Sequence, residues 1–282
     1  MGQDNRVVLF SEHIELTRFA DGEVRPYIPQ DIAKKQVVLQ YPLYPDPSEK
    51  LIELLFVVDA LRRKHPQKIT AVIPYLPYVR QSRIHREGES LSVEVIAHLL
   101  STSGIDSMIT FDVHNQSALS FFSIPVVHLS VIPFIASQVH AGKQTIAVSP
   151  DEGSVERAKI AADTLHVPLV VMEKGRPLDK GDAINRMELH EEVVGKTAII
   201  VDDIISTGGT IARAATLLRK AGAKKVIVFA VHAVFAGDAK GLLEKADIDR
   251  VIVTDTIPRA ASDLPKGTEI VSIKSLLEQA LH

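Results

Sequence analysis

Two segments of this chain repeat, and the repeat limits its fold to a pair of similar units. Leu61-Arg62-Arg63, Lys68-Ile69 and Val72 align without gaps on Leu218-Arg219-Lys220, Lys225-Val226 and Phe229, at an offset of 157. The segment 105–112 aligns on 248–255 at an offset of 143. Each match reads as helix, turn and strand, a pattern common enough to recur by chance. Both in the same order predict two copies of one α/β domain. The offsets differ by 14, so the first copy carries that many extra residues, expected within 78–91. With 282 residues, 46% of them hydrophobic, the chain can build two cores. The boundary is expected near residue 130, giving domains 1–130 and 131–282. A closing helix over 273–281 is expected to pack back on the first.

The second copy contains the most informative stretch, Ala198 to Ala215. Ala198–Val201 is a short apolar run, β-branched at three positions, as in a buried parallel strand. Asp202 and Asp203 are expected where that strand ends. Ser206-Thr207-Gly208-Gly209-Thr210 follows, then a helix from Ile211 with Ala214, Ala215 and Leu218 on one face and Gly222 as its stop. Ligands of open parallel sheets bind beyond the carboxyl ends of the strands. A loop with two glycines and three hydroxyls, entering a helix, offers backbone N–H groups and a positive dipole end to an anion such as phosphate. The acids suit sugar hydroxyls or a metal. The loop has no lysine and is not a Walker A motif. The first copy has the proline loop 41–48 at this place, so a second ligand must be held differently there.

Other stretches carry candidate chemistry. Arg18 to Val24 is a turn with glycine at its tip, by itself a plain hairpin. The extra segment holds Arg80, Arg83, His85 and Arg86, a phosphate-binding composition that also fits a solvated loop. His114 ends a strand as a possible metal ligand. Asp151, in a second strand-end loop, suits Mg²⁺ or a helix cap. Lys174 and Arg176 stand in a polar, glycine-rich loop, 173–182, able to close over a polyphosphate. Phe121 and Phe122 read as core. A net charge of −3 gives no pull toward nucleic acid or membrane. Zero cysteines exclude disulfides and thiolate metal sites. With no signal-peptide core and no spanning apolar run, a cytoplasmic protein is expected.

Together these motifs resemble the phosphoribosyl pyrophosphate (PRPP) synthetases, from about Phe19 to the C-terminus. The resemblance rests on Arg18-Phe19-x-Asp21-Gly22-Glu23, Arg80-Gln81-x-Arg83, Gly88-Glu89, Asp112-x-His114, Ser149-Pro150-Asp151, Lys174-x-Arg176, the 201–210 loop and Thr254 to Pro258. The form of the loop and the short length look more archaeal than bacterial. The resemblance implies an α/β fold of two tandem phosphoribosyltransferase-like domains, each a mostly parallel sheet flanked by helices. It implies transfer of the β,γ-diphosphoryl group of ATP to ribose 5-phosphate, with Mg²⁺ as cofactor, in a homo-oligomer of dimers or multiples with the ATP site at a subunit interface. By the same resemblance Phe19, Asp21 and Glu23 contact adenine from a neighbouring subunit. Arg80, Gln81, Arg83 and His114 contact ATP. His114 and Asp151 ligate the metal. Lys174 and Arg176 stabilise the transferring group. Asp202 and Asp203 hold the ribose hydroxyls, and Ser206, Thr207, Gly208, Gly209 and Thr210 the 5-phosphate. The chain departs from the family's pattern at Ser206, an aspartate there, at Gly175, and where Glu152-Gly153-Ser154 breaks a Gly-Gly pair. Eighteen residues precede Phe19, fewer than usual, so the family's first strand and helix are expected to be missing or replaced. A phosphoribosyltransferase and a non-catalytic regulatory subunit are the alternative readings.

Overall fold

The computed structural model describes residues 5–84, 86–174, 187–188 and 193–281. Two compact units divide the chain, Met1–Leu129 and Ser130–His282.

The first unit contains β1 (Arg6–Phe10), β2 (Glu15–Arg18), β3 (Val24–Tyr27), β4 (Gln36–Gln40), α1 (Pro47–Arg62), β5 (Lys68–Val72), α2 (Ser92–Thr102), β6 (Ser107–Phe111) and β7 (Val126–Leu129). Its sheet has the order β1-β4-β5-β6-β7, every neighbouring pair parallel. Parallel strands need crossovers, which α1 and α2 supply. In α1, Leu51, Leu54, Val57, Val58 and Leu61 are buried at helical spacing. The expected replacement of the first strand is corrected in part. A strand, β1, stands there and pairs with β4, and a single 3-10 turn, Ser11–His13, follows it.

The second unit contains α3 (Ile132–Ser137), β8 (Thr145–Ser149), α4 (Val155–Leu165), β9 (Leu169–Val171), β10 (Glu173–Lys174), β11 (Met187–Glu188), β12 (Thr197–Ile205), α5 (Gly209–Lys220), β13 (Lys225–Ala233), α6 (Ala239–Glu244), β14 (Arg250–Thr254), β15 (Thr268–Val271) and α7 (Lys274–Ala280). Its main sheet has the order β15-β14-β13-β12-β8-β9, again all parallel. Every residue of β8 is buried, as expected of a strand covered on both faces.

The repeat is visible in the side chains. Arg62 at the end of α1 donates through Nε to the Gly104 carbonyl (2.5 Å) and through a terminal nitrogen to Asp106 Oδ2 (2.6 Å). Asp106 Oδ2 also accepts the Ile69 N–H at the start of β5 (2.6 Å). The second unit builds the same clip: Arg219 to the Asp247 carbonyl (2.9 Å) and Asp249 Oδ2 (2.6 Å), and Val226 N–H to Asp249 Oδ2 (2.7 Å). Every member is related to its counterpart by one of the two sequence offsets. The extra residues fall between β5 and α2, as expected.

Two expectations are corrected. The strand before the acids does not stop at Val201 but runs to Ile205, because β13 is equally long and pairs Asp202 with Ala230 and Ile205 with Ala233. Phe121 and Phe122 are partly buried residues packed against the core, not members of it.

Candidate active site

The second unit brings its candidate residues together through a mismatch of strand lengths. Pairing of β12 with β8 ends at Ile200 opposite Val148, while β12 continues to Ile205. The space beyond β8 is filled by its own exit turn, Pro150 to Ser154. Ser149 Oγ donates to the Asp151 carbonyl (2.7 Å) and holds that turn. Ser154 Oγ then donates to Asp202 Oδ1 (2.8 Å), and Arg157 forms an ion pair with Asp203 Oδ1 (3.1 Å). Asp203 is 2% exposed. Burial first, then the charge of Asp203 and a hydrogen bond with it, pushes the Asp202 carboxyl up to about 8, against the opposing pull of Ser154 and Arg157. Two adjacent acids, one buried and one half-buried, share charge with difficulty, which is a property of functional sites.

The loop expected to hold phosphate follows directly. Ala236 N–H donates to the Ser206 carbonyl and Phe235 N–H to that of Ile205, both at 2.9 Å, fixing its start. Gly208 has φ +76°, and a Cβ there would lie 3.3 Å from Leu243 Cγ, so both conformation and space call for glycine. Gly209 opens α5, a helix of 12 residues. The backbone N–H groups of its first turn have no helical acceptor of their own, which is the arrangement that receives an anion.

Of the loop expected to close over a polyphosphate, only the backbones of Glu173 and Lys174 are described, in a two-residue antiparallel pairing of β10 with β11. Arg176 lies outside the described residues.

In the first unit, the candidate residues occupy two places. Phe19, Asp21 and Glu23 form the tip of the β2–β3 hairpin, closed by Phe19 N–H to the Glu23 carbonyl (2.9 Å) with Gly22 at φ +93°. Phe19 is 47% exposed, with the Arg25 guanidinium 5.4 Å from its ring centre. The hairpin is tied to α1 by Arg18, which pairs with Glu49 and with buried Glu53; Tyr41 OH and Lys50 also donate to Glu53, at 3.0 and 2.7 Å. Burial acts to raise the Glu53 carboxyl, but the bonds from Lys50 and Tyr41 outweigh it and hold it below its usual value. The second place is the ends of β5 and β6. Asn115 donates to Ser82 Oγ (2.9 Å), joining the segment with Arg80, Gln81 and Arg83 to the loop with exposed His114. Gln81 accepts from Ser92 (2.5 Å). His85 lies outside the described residues. Among the described residues no three His, Asp or Glu side chains cluster to form a metal site.

Two residues of this geometry carry no role in the sequence reading, Ser154 and Arg157. Both lie in the strand-end stretch already singled out for Asp151. Nothing in their spacing tells that they reach across to β12.

The residues 5–104 match the model of the N-terminal domain of ribose phosphate pyrophosphokinase, and 177–281 that of the phosphoribosyl synthetase-associated domain. The ribose-phosphate pyrophosphokinase of Aquifex aeolicus is 38% identical over 270 residues, covering 95% of this chain and 86% of that one. The chain belongs to the ribose-phosphate pyrophosphokinase family. The enzyme of that name from Chromobacterium violaceum is 35% identical over 272 residues, 95% of this chain and 83% of its own. The crystal structure of phosphoribosylpyrophosphate synthetase from Mycobacterium smegmatis superposes with a TM-score of 0.86 at 34% identity, covering 95% of this chain and 88% of that one. A ribose-phosphate pyrophosphokinase is an ATP-utilising enzyme, and the two mostly parallel sheets agree with that fold. Among the described residues no helix is long and apolar enough to cross a membrane.

Proposed function

We propose that this pyrophosphokinase moves the β,γ-diphosphoryl group of ATP to the C1 hydroxyl of ribose 5-phosphate, releasing AMP and forming PRPP. The observation that carries the reading is the continuous run from half-buried Asp202 and buried Asp203 into the glycine turn that opens α5. It offers carboxylates for sugar hydroxyls next to N–H groups for a phosphate. In the reaction the C1 oxygen bonds to the β-phosphorus, the bond between the β-phosphorus and the α,β-bridging oxygen breaks, and the hydroxyl proton goes to solvent. Such a transfer needs in-line placement and compensation of charge on the phosphoryl oxygens.

Asp202 and Asp203 orient the ribose, and Ser206 to Thr210 anchor its 5-phosphate. Lys174 and Arg176 compensate charge on the transferring group. Phe19, Asp21 and Glu23 hold adenine from a neighbouring subunit, a role supported by the exposure of Phe19, while Arg80, Gln81, Arg83 and His114 hold the rest of ATP. Asp151 is the residue best suited to Mg²⁺, since its backbone is fixed by Ser149 and its carboxylate offers oxygen to a hard cation; His114 would complete the set. Bound Mg²⁺ supplies further positive charge at the diphosphate oxygens. The enzyme acts as a cytoplasmic homo-oligomer with ATP at a subunit contact.

The test is a product assay with ATP, Mg²⁺ and ribose 5-phosphate, followed by phosphorus NMR. AMP and PRPP in equal amounts, only with the sugar present, are expected. A folded protein that binds ribose 5-phosphate and releases no AMP would overturn the catalytic reading.

A further inference from the structure

A serine immediately before a helix ordinarily turns its hydroxyl to the helix's first free N–H groups, a cap worth about 1 kcal/mol. Ser154 stands at that position before α4, yet makes no such bond. Its hydroxyl goes to Asp202 Oδ1 on another strand, at 2.8 Å. The hydroxyl has one proton, and Asp151 Oδ1, at 3.4 Å, is the poorer acceptor. Ser154 is 3% exposed, so water does not substitute for it at low cost. Asp202 Oδ1 also accepts the Asp203 N–H, at 2.9 Å. Two donors on one oxygen pin rotation of the carboxylate about its Cβ–Cγ bond, and Oδ2 carries neither of these bonds. One helical turn further on, Arg157, whose side chain is 11% exposed, pairs with Asp203 and donates to the Gly153 carbonyl at 2.6 Å. The exit turn of β8 therefore holds Asp202 by a hydrogen bond, and the first turn of α4 holds Asp203 by charge.

We propose that Ser154 is a positioning residue for the sugar: its hydroxyl sets the angle of the Asp202 carboxylate toward the ribose hydroxyls, while Arg157 holds neighbouring Asp203 by its charge. This rests on the reading of Asp202 and Asp203 as the sugar-binding pair. Ser154 touches no reacting atom. It acts through Asp202, and its loss changes recognition of the ribose diol more than use of ATP.

The experiment compares the full-length wild type, Ser154→Ala, Ser154→Cys and Asp202→Asn. Steady-state constants are measured with ribose 5-phosphate and ATP varied in turn, and binding of ribose 5-phosphate and its 2-deoxy analogue by calorimetry. A buried acceptor left without its donor supports about a tenfold effect. Ser154→Ala is expected to raise KM for ribose 5-phosphate by about that factor, leave KM for ATP within about twofold, and narrow the preference for ribose over the deoxy sugar. Ser154→Cys, a weaker donor of similar size, is expected to fall between the two. A Ser154→Ala enzyme with both KM values and the sugar preference unchanged would overturn the proposal, as would equal losses for both substrates. If Asp202→Asn binds ribose 5-phosphate as the wild type does, the sugar-site reading itself fails and this inference with it.

Discussion

The clip built twice in the chain gives a sharp test of what holds each unit together. In the second unit Asp249 Oδ2 accepts from Arg219 and from the Val226 N–H. Asp249→Ala removes both bonds, but they are not equal. Arg219 keeps its bonds to the carbonyls of Asp247 and Lys224, and Asp249 is 36% exposed, so the ion pair itself contributes about 0–1 kcal/mol. The Val226 N–H is different, because Val226 is fully buried and a donor left unsatisfied there costs about 1–3 kcal/mol. The sum is roughly 1–4 kcal/mol. For a unit of this size each kcal/mol moves Tm by about 2–4 °C, so a drop of about 2–16 °C is expected by calorimetry. Asp249→Asn keeps an oxygen for Val226 and loses only the charge, and should cost about 1 kcal/mol or less. Asp106→Ala and Asp106→Asn should behave alike in the first unit. An Asp249→Ala protein melting within about 1 °C of wild type would refute the reasoning. So would an Asn variant as weak as the Ala variant, since the ion pair and not the backbone donor would then dominate.

Three further outcomes are expected. Lys174→Ala should lower turnover about a hundredfold or more with ribose 5-phosphate affinity within about twofold, measured by rapid quench and calorimetry; intact turnover would remove the assigned role. Burial and the Asp203 charge raise the Asp202 carboxyl, and the ionised form is the one that accepts hydrogen bonds, so ribose 5-phosphate binding should tighten as pH rises toward about 8 and weaken below it. The slope cannot exceed about tenfold per pH unit for one proton, and Asp202→Asn should abolish this component, leaving the titration of the sugar's own phosphate. Gly208→Ala places a Cβ at φ +76° and 3.3 Å from Leu243, and should cost about 1 kcal/mol or more of stability and weaken ribose 5-phosphate binding together; wild-type binding would separate the loop from the phosphate.

The parallel sheets were legible because β-branched runs such as Ala198–Val201 recur at helix-length intervals. The duplication was legible because Arg62, Asp106, Arg219 and Asp249 kept both type and spacing. The phosphate loop was legible because Gly208 and Gly209 meet a local backbone demand. Strand length was not, since whether β12 stops at Val201 or Ile205 depends on the reach of β13, which no local pattern around the aspartates encodes. Ser154 and Arg157 were hidden for the same reason. Serine before a helix reads as a cap, and only the register of β8 against β12 turns it into a partner of Asp202.

Strand order also shapes the route by which the second unit forms. From β12 onward, β13, β14 and β15 add to the sheet one after another along the chain. β8 must reach β12 across residues 150–196. Closing a longer loop costs more entropy, and long-range pairings form late. The β12–β15 portion is therefore expected to assemble first, with Asp202 and Asp203 still in water on its open edge. Docking of β8 would then bring Ser154 and Arg157, bury Asp203 and half-bury Asp202 in one event. Folding kinetics should carry this signature: the slow step, not the early one, responds to the protonation of the two acids, and the sugar site is the last part of the unit to exist.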